Sequence, residues 1–60
     1  MNKHVYVVMV RERIGNEYFT NEYSGIEHWS KDDAYRELTE ARNETANDIY
    51  ADCYVRELGR

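Results

Sequence analysis

The chain has 60 residues, 8 basic and 12 acidic (formal net charge −4), and residues 1–60 are expected to form one domain that buries only about 60% of its unfolded surface. Its single cysteine excludes an internal disulfide, and its negative charge disfavours general binding to nucleic-acid backbones. The sequence shows no apolar run near the ~20 residues of a membrane span. The unpaired cysteine favours a protein of the reducing cytoplasm.

Residues 4–13 are predicted to form the first strand, because they are rich in β-branched and aromatic side chains. Within it, residues 5–10 are apolar at both parities, whereas a strand with one wet face alternates. This pattern indicates a central strand with both faces at least partly covered. The chain supplies one plausible helix, which covers one face, so the other face is expected to meet a partner or to stay exposed.

A hairpin is predicted at Gly15 and Asn16, because glycine accepts the positive φ that a two-residue turn requires. Residues 17–27 then form the second strand. The turn sets the register and places Val8 opposite Tyr23, and directly opposed residues share a face of the sheet. A slip of one residue would exchange the two faces of the hairpin.

The start of a helix is the clearest local signal in the chain. Ser30 is a good N-cap, Asp33 stands at the third helical position as in a capping box, and Trp29 suits a hydrophobic staple. The helix is predicted to end near Asn47, since asparagine tolerates the left-handed cap conformation. Residues 49–57 are predicted to form the third strand. The apolar stripe of the helix consists of Ala34, Tyr35, Leu38 and Ala41, and Thr45 continues the same spacing.

These elements predict an α+β fold of order ββαβ, with a three-stranded antiparallel sheet in strand order 2-1-3 and one helix packed on one face. In the third strand, the small side chains of Ala51 and Cys53 favour the side of Ile49 and Val55 as the one under the helix. In the hairpin, the residues assigned to the helix-covered core are Val5, Val7, Met9, Tyr18 and Ile26.

The other side of the sheet is predicted to be aromatic and to form the functional surface. Large apolar patches are unusual on monomers, and tyrosine is enriched at interfaces. We therefore expect a protein-interaction module that forms a homodimer through this face or through a strand edge. The alternative is that the tyrosine rings lie flat on a wet sheet and shield the valines. The predicted interface residues are Tyr6, Val8, Val10, Phe19, Tyr23, Tyr50 and Tyr54.

A second surface is predicted on the helix, where acidic side chains recur at intervals of three and four residues. Such a stripe can meet a basic surface on a nucleic-acid-binding protein, and it supports an acidic host-directed inhibitor as an alternative function. The other interpretation is an ordinary solvated helix face. The acidic helix face consists of Asp33, Glu37, Glu40 and Glu44.

Arginines flank the predicted aromatic face, and this combination is typical of platforms on which single-stranded nucleic acid stacks. Arg11, Arg13 and Arg56 lie near the ends of the sheet, so a weak single-strand binder is a third candidate. The net negative charge and the lack of an RNP-type strand motif disfavour this third candidate.

No catalytic, cofactor or metal site is expected. His4, His28 and Cys53 lack the close spacing that metal ligands show. Cys53 is predicted to be buried, and the sequence holds no nucleophile–base set, phosphate-binding loop or dinucleotide motif. We therefore expect the protein to be non-enzymatic.

Residues 29–34 (Trp-Ser-Lys-Asp-Asp-Ala), followed by Leu38 and Ala41, lie between a tyrosine-rich strand and residues 54–58 (Tyr-Val-Arg-Glu-Leu). In this layout, which covers most of the chain, the protein resembles small phage- and prophage-encoded ββαβ proteins. The resemblance implies an intracellular accessory protein that binds and inhibits a host protein. It implies a role for no particular residue.

Overall fold

The computed structural model of the protein describes residues 4–59. Strand β1 spans His4–Ile14, β2 spans Glu17–Glu22, helix α1 spans Lys31–Glu44 and β3 spans Ala51–Gly59. β1 is the central strand, and β2 and β3 flank it in antiparallel orientation, so the sheet order is β2-β1-β3. The predicted ββαβ arrangement of an α+β fold is confirmed.

The β1–β2 hairpin turns at Gly15 and Asn16, as predicted. Gly15 has a φ of +64°, and no non-glycine residue within the range 4–59 has a positive φ. This combination is that of a type II′ turn, whose first central position favours glycine and whose twist matches the flanking strands. The turn fixes the register: Val10 pairs with Asn21, and the backbone N–H of Tyr23 donates to the carbonyl of Val8 at 2.8 Å, which confirms the predicted opposition of Val8 and Tyr23.

The second strand is shorter than the predicted range 17–27. β2 ends at Glu22, and Gly25 then adopts a φ of +78°, which bends the chain away from the ladder. His28 returns to β1 and exchanges two backbone hydrogen bonds with Tyr6, at 2.7 and 2.8 Å. This detour sets the position of the side chains that meet the helix.

Helix α1 begins where the sequence predicts. The backbone of Ser30 is extended, and its hydroxyl accepts a hydrogen bond from the backbone N–H of Asp33 at 3.4 Å. The helix ends at Glu44, before the predicted Asn47, and its C-cap Thr45 has left the helical conformation at φ −101° and ψ 10°. The hydroxyl and the backbone N–H of Thr45 both donate to the carbonyl of Ala41, which satisfies an acceptor of the last turn.

The core lies where α1 packs over β1 and β3. It consists of Val8, Leu38, Ala41 and Cys53, with Val10, Tyr23 and Val55 packed against it at partial burial. The predicted helical stripe is confirmed for Ala34, Leu38 and Ala41, whereas Tyr35 is exposed. Ile49 is also exposed, because it lies in the turn before β3 rather than within the strand.

The predicted helix-covered face is right for β3 and wrong for β1 and β2. Val8 is 0% exposed beneath α1, and it lies opposite Val55, which the sequence places under the helix correctly. Because opposed residues share a face, Val5, Val7 and Met9 occupy the other side of the sheet. Because β1 has apolar side chains on both sides of the sheet, its sequence does not indicate which side the helix covers.

The seven predicted interface residues therefore do not form one surface, and that prediction is wrong. Tyr50 and Tyr54 lie on the side that α1 leaves uncovered, and Tyr18, predicted in the core, joins them there. Ile26 is exposed in the segment between β2 and α1. The hairpin members of the predicted interface lie on the helix side instead: Tyr6, Val8, Val10, Phe19 and Tyr23.

Candidate interaction face

The sheet side opposite α1, termed the open face, is the surface that the fold leaves available for binding. The side chains of β1 that point away from the helix define its central row, and the pairing registers add their opposed neighbours. Tyr50 extends it beyond β3, since its carbonyl accepts a hydrogen bond from Arg13 at 2.9 Å. The open face consists of Val5, Val7, Met9, Arg11, Arg13, Tyr18, Thr20, Glu22, Tyr50, Asp52, Tyr54, Arg56 and Leu58.

One half of the open face is apolar but already shielded. Val7 is 1% exposed, and Val5 and Met9 are buried as well, although α1 lies on the other side of the sheet. Their opposed neighbours on β3 include Arg56 and Tyr54, whose side chains are long enough to cover part of an adjacent strand. The central valines therefore leave no bare apolar patch, contrary to the expectation that they need an external partner.

The other half, at the hairpin end, carries arginine and tyrosine. The guanidinium of Arg11 lies 5.3 Å from the centroid of the Tyr18 ring, within cation–π distance, and 3.7 Å from the carboxylate of Asp52. Nε of Arg13 donates to the carbonyl of Gly15 at 2.9 Å. Both guanidinium groups are thus held at the surface by contacts with neighbouring strands and with the turn.

Two adjoining clefts open at this end, with volumes of about 360 Å³ and 270 Å³. The larger is lined by Arg13, Gly15 and Tyr50. The smaller extends past Arg11 and Tyr18 and shares both Arg13 and Tyr50 with its neighbour. Tyr50 and the guanidinium-bearing side chain of Arg13 therefore line both clefts.

Charge is distributed unevenly over the molecule. The open face holds three arginines, Arg11, Arg13 and Arg56, and of the chain's 12 acidic residues only Glu22 and Asp52 occupy its strand positions. The face is therefore slightly basic, whereas the chain as a whole carries −4. The net charge of the whole chain therefore does not reveal that this face is positively charged.

Two residues of the acidic helix face, Glu37 and Glu44, contact other parts of the protein. Glu37, whose side chain is 12% exposed, accepts a hydrogen bond from the Ser24 hydroxyl at 2.7 Å and lies 3.0 Å from Nε2 of His28. The Tyr23 hydroxyl donates to the carboxylate of Glu44. These two carboxylates fasten the helix to the segment that follows β2, so they do not present a free acidic stripe.

The two other members of that predicted stripe are exposed, as is Glu44. Asp33 forms a 3.8 Å ion pair with Arg36 one turn away, and Glu40 lies on the helix surface. The internal role of the other two could have been found from spacing, since Glu37 and Glu44 each follow a buried alanine by three residues. Positions three apart share one side of a helix, so both glutamates flank the buried stripe.

Tyr23 shows the electrostatic effect of this fastening. Its hydrogen bond to Glu44 raises the pKa of Tyr23 from 10.0 to about 12, because the carboxylate favours the protonated phenol. Desolvation and the nearby carboxylates of Glu40 and Glu37 act in the same direction. The predicted interface residue Tyr23 thus belongs to the joint between helix and sheet.

Side chains that could ligate a metal do not converge in the described part of the chain. No group of three or more His, Cys, Asp or Glu side chains within residues 4–59 is arranged to hold a metal ion. Cys53 is buried in the core, with its sulfur 3.5 Å from the Thr45 hydroxyl. His4 pairs with Glu57 at 2.8 Å, whereas His28 contacts Glu37 at 3.0 Å.

Comparisons of this chain with models of protein families, with curated proteins and with solved structures find no match. Within residues 4–59, α1 is too short and too polar to cross a membrane. The function is therefore inferred from the geometry of the chain itself, and the resemblance to phage-encoded proteins stays a prediction.

Proposed function

We propose that this chain is a non-enzymatic protein-interaction module that binds its partner through the open face. The observation that carries the proposal is the grouping of three arginines and three tyrosines on the side of the sheet that α1 leaves uncovered. Tyrosine and arginine are the residues most enriched, with tryptophan, among the side chains that dominate binding energy at protein interfaces. The six residues are Arg11, Arg13, Tyr18, Tyr50, Tyr54 and Arg56.

The charge of this surface favours a different, acidic protein over a second copy of the chain. A symmetric dimer through the open face would bring three arginines from each copy, six in all, into one interface. Only Glu22 and Asp52 from each copy would oppose them. The shielding of the central valines also removes the apolar driving force that the sequence suggested for a homodimer.

Self-association through the edge of β3 is disfavoured by one contact. β3 lies at the edge of the sheet, and the carbonyl of Cys53 accepts a hydrogen bond from Nη2 of Arg42 at 3.3 Å. The helix thus places a charged side chain against the outer edge of β3. Long charged side chains at an edge oppose pairing with a second strand.

Single-strand nucleic-acid binding is the second candidate, and one observation favours it. The rings of Tyr18 and Tyr50 are 62% and 57% exposed and stand beside Arg11 and Arg13. Exposed rings next to cationic groups form the stacking platforms of single-strand binders. Protein binding ranks higher, because three arginines in a chain of charge −4 supply little attraction for a phosphate backbone.

Affinity capture from the native host tests the proposed function with matched tyrosine variants. Tyr50→Ser combined with Tyr54→Ser should abolish capture of a partner, because it removes two rings from the open face. Tyr35→Ser is the control, since Tyr35 is 54% exposed on the helix and should be dispensable. Equal capture by both variants would contradict the proposal, and binding of a labelled single-stranded oligonucleotide at low salt would support the second candidate.

A further inference from the structure

We infer that the two clefts beside Tyr50 form a carboxylate-binding site for an acidic segment of the partner protein. The inference deepens the proposed function and rests on it. The two clefts have volumes of about 360 Å³ and 270 Å³ and lie at one end of the open face. Both are lined by Arg13 and Tyr50. This volume accommodates individual side chains of a partner segment rather than a whole domain surface.

The arginines supply the recognition chemistry. Arg11 and Arg13 lie two positions apart on the same side of β1, which separates their Cα atoms by about 7 Å. A guanidinium group has five N–H donors, and the internal hydrogen bond of Arg13 to Gly15 occupies only its Nε. Its two terminal nitrogens are left with four donors, the fork that grips a carboxylate in bidentate fashion.

The existing ion pair does not saturate the positive charge. Asp52 approaches Arg11 at 3.7 Å, and both side chains are at least half exposed, so the pair is weak and screened by solvent. Within residues 4–59, Arg13 forms no ion pair with any acidic side chain. An incoming carboxylate therefore meets one cation without an acidic partner and one that is loosely paired.

The walls of the site indicate the second property of the ligand. The exposed rings of Tyr18 and Tyr50 and the exposed side chain of Ile49 line the same clefts as the arginines. Apolar walls beside charged donors suit a segment in which acidic residues alternate with large apolar ones. Charge complementarity and apolar contact together assign the occupant as an acidic, partly apolar peptide segment of another protein.

Nitrogen-15 NMR titration of the full chain with a blocked Glu-Leu-Glu-Leu-Glu peptide tests the site. The expected result is saturable shifts at Arg11, Arg13, Tyr18 and Tyr50, including the Nε signal of Arg13. A matched peptide with glutamine in place of glutamate should bind at least tenfold more weakly, because it lacks the charge-assisted bonds.

Variants separate the fork geometry from simple charge. Arg13→Gln should weaken the glutamate peptide about tenfold or more, and Arg13→Lys should weaken it several-fold, because lysine keeps the charge but not the bidentate fork. Arg36→Gln, on the exposed helix surface, should leave the affinity unchanged. The dispersion of the NMR spectrum reports that each variant is folded.

Three results would overturn the carboxylate site: equal binding of the glutamine peptide, shifts that map to α1, or tighter binding of a single-stranded oligonucleotide at the same residues. The first two leave the proposed function standing if partner capture still depends on Tyr54, which lies outside the lining of both clefts. Conversely, if the tyrosine variants do not affect partner capture but the glutamate peptide binds as expected, the proposed function is refuted and the carboxylate site is not.

Discussion

The two sides of β1 reach the same burial by different means. Val8 is 0% exposed because α1 places Leu38 and Ala41 over it, whereas Val7 is 1% exposed on the side away from the helix. There the opposed neighbour is Arg56, whose long side chain is flexible. A buried central strand therefore does not require a second layer of structure, and its apolar pattern does not by itself imply an external partner.

The largest expected effect comes from truncating the two valines separately. Val8→Ala should lower the free energy of unfolding by about 2–3 kcal/mol, because the helix cannot collapse fully into the cavity. Val7→Ala should cost about 1 kcal/mol, since the side chains over it can move to fill the space. Urea denaturation of both variants measures the difference. A loss at Val7 equal to that at Val8 would show that the open face is packed as rigidly as the core.

The next effect separates the two kinds of acidic side chain on α1. Glu37→Ala should lower the free energy of unfolding by about 1–2 kcal/mol, because it removes the hydrogen bond from Ser24 and the part-buried contact with His28. Glu40→Ala, on the exposed surface of the same helix, should change it by less than about 0.5 kcal/mol. Thermal or urea unfolding compares the pair. Equal effects of the two substitutions would show that the contacts of Glu37 do not stabilise the fold. The acidic helix face would then again be a candidate binding site.

The smallest effect concerns the ionisation of Tyr23. Its folded-state pKa of about 12 lies above the ordinary value of 10.0, so the stabilising hydrogen bond to Glu44 is fully present below pH 10 and is lost as pH rises through about 12. Glu44→Gln should move the pKa of Tyr23 back toward 10. Carbon-13 NMR of the Tyr23 ring measures both midpoints, and an unchanged midpoint in the variant would contradict the contact.

Local signals in the sequence predict most of the fold. The glycine of the turn sets the β1–β2 register, Ser30 starts the helix, and the apolar character of β1 places it at the centre. Each of these three features is determined by residues that are close together in the sequence. The end of β2 is predicted too late. A glycine such as Gly25 indicates that the strand bends, but it does not indicate how many residues leave the sheet before His28 pairs with β1 again.

The candidate site is predicted only in part, for a physical reason. Which side of β1 the helix covers depends on the pairing of Val8 with Val55, and no short turn connects β1 to β3 to fix that register. The sequence therefore identifies Tyr50, Tyr54 and the flanking arginines but joins them to the wrong half of the hairpin. Similarly, the partners of Glu37 lie in the irregular segment after β2, whose path no periodicity encodes.

Hydroxyl-radical footprinting of the complex with the captured partner tests the central claim most directly, because Tyr50 and Tyr35 are almost equally exposed on opposite sides of the molecule, at 57% and 54%. If the open face is the binding surface, partner binding should protect Tyr50, Tyr18 and Tyr54 from oxidation and leave Tyr35 as reactive as in the free chain. Protection of Tyr35 with Tyr50 unchanged would show that the partner binds the helix side instead.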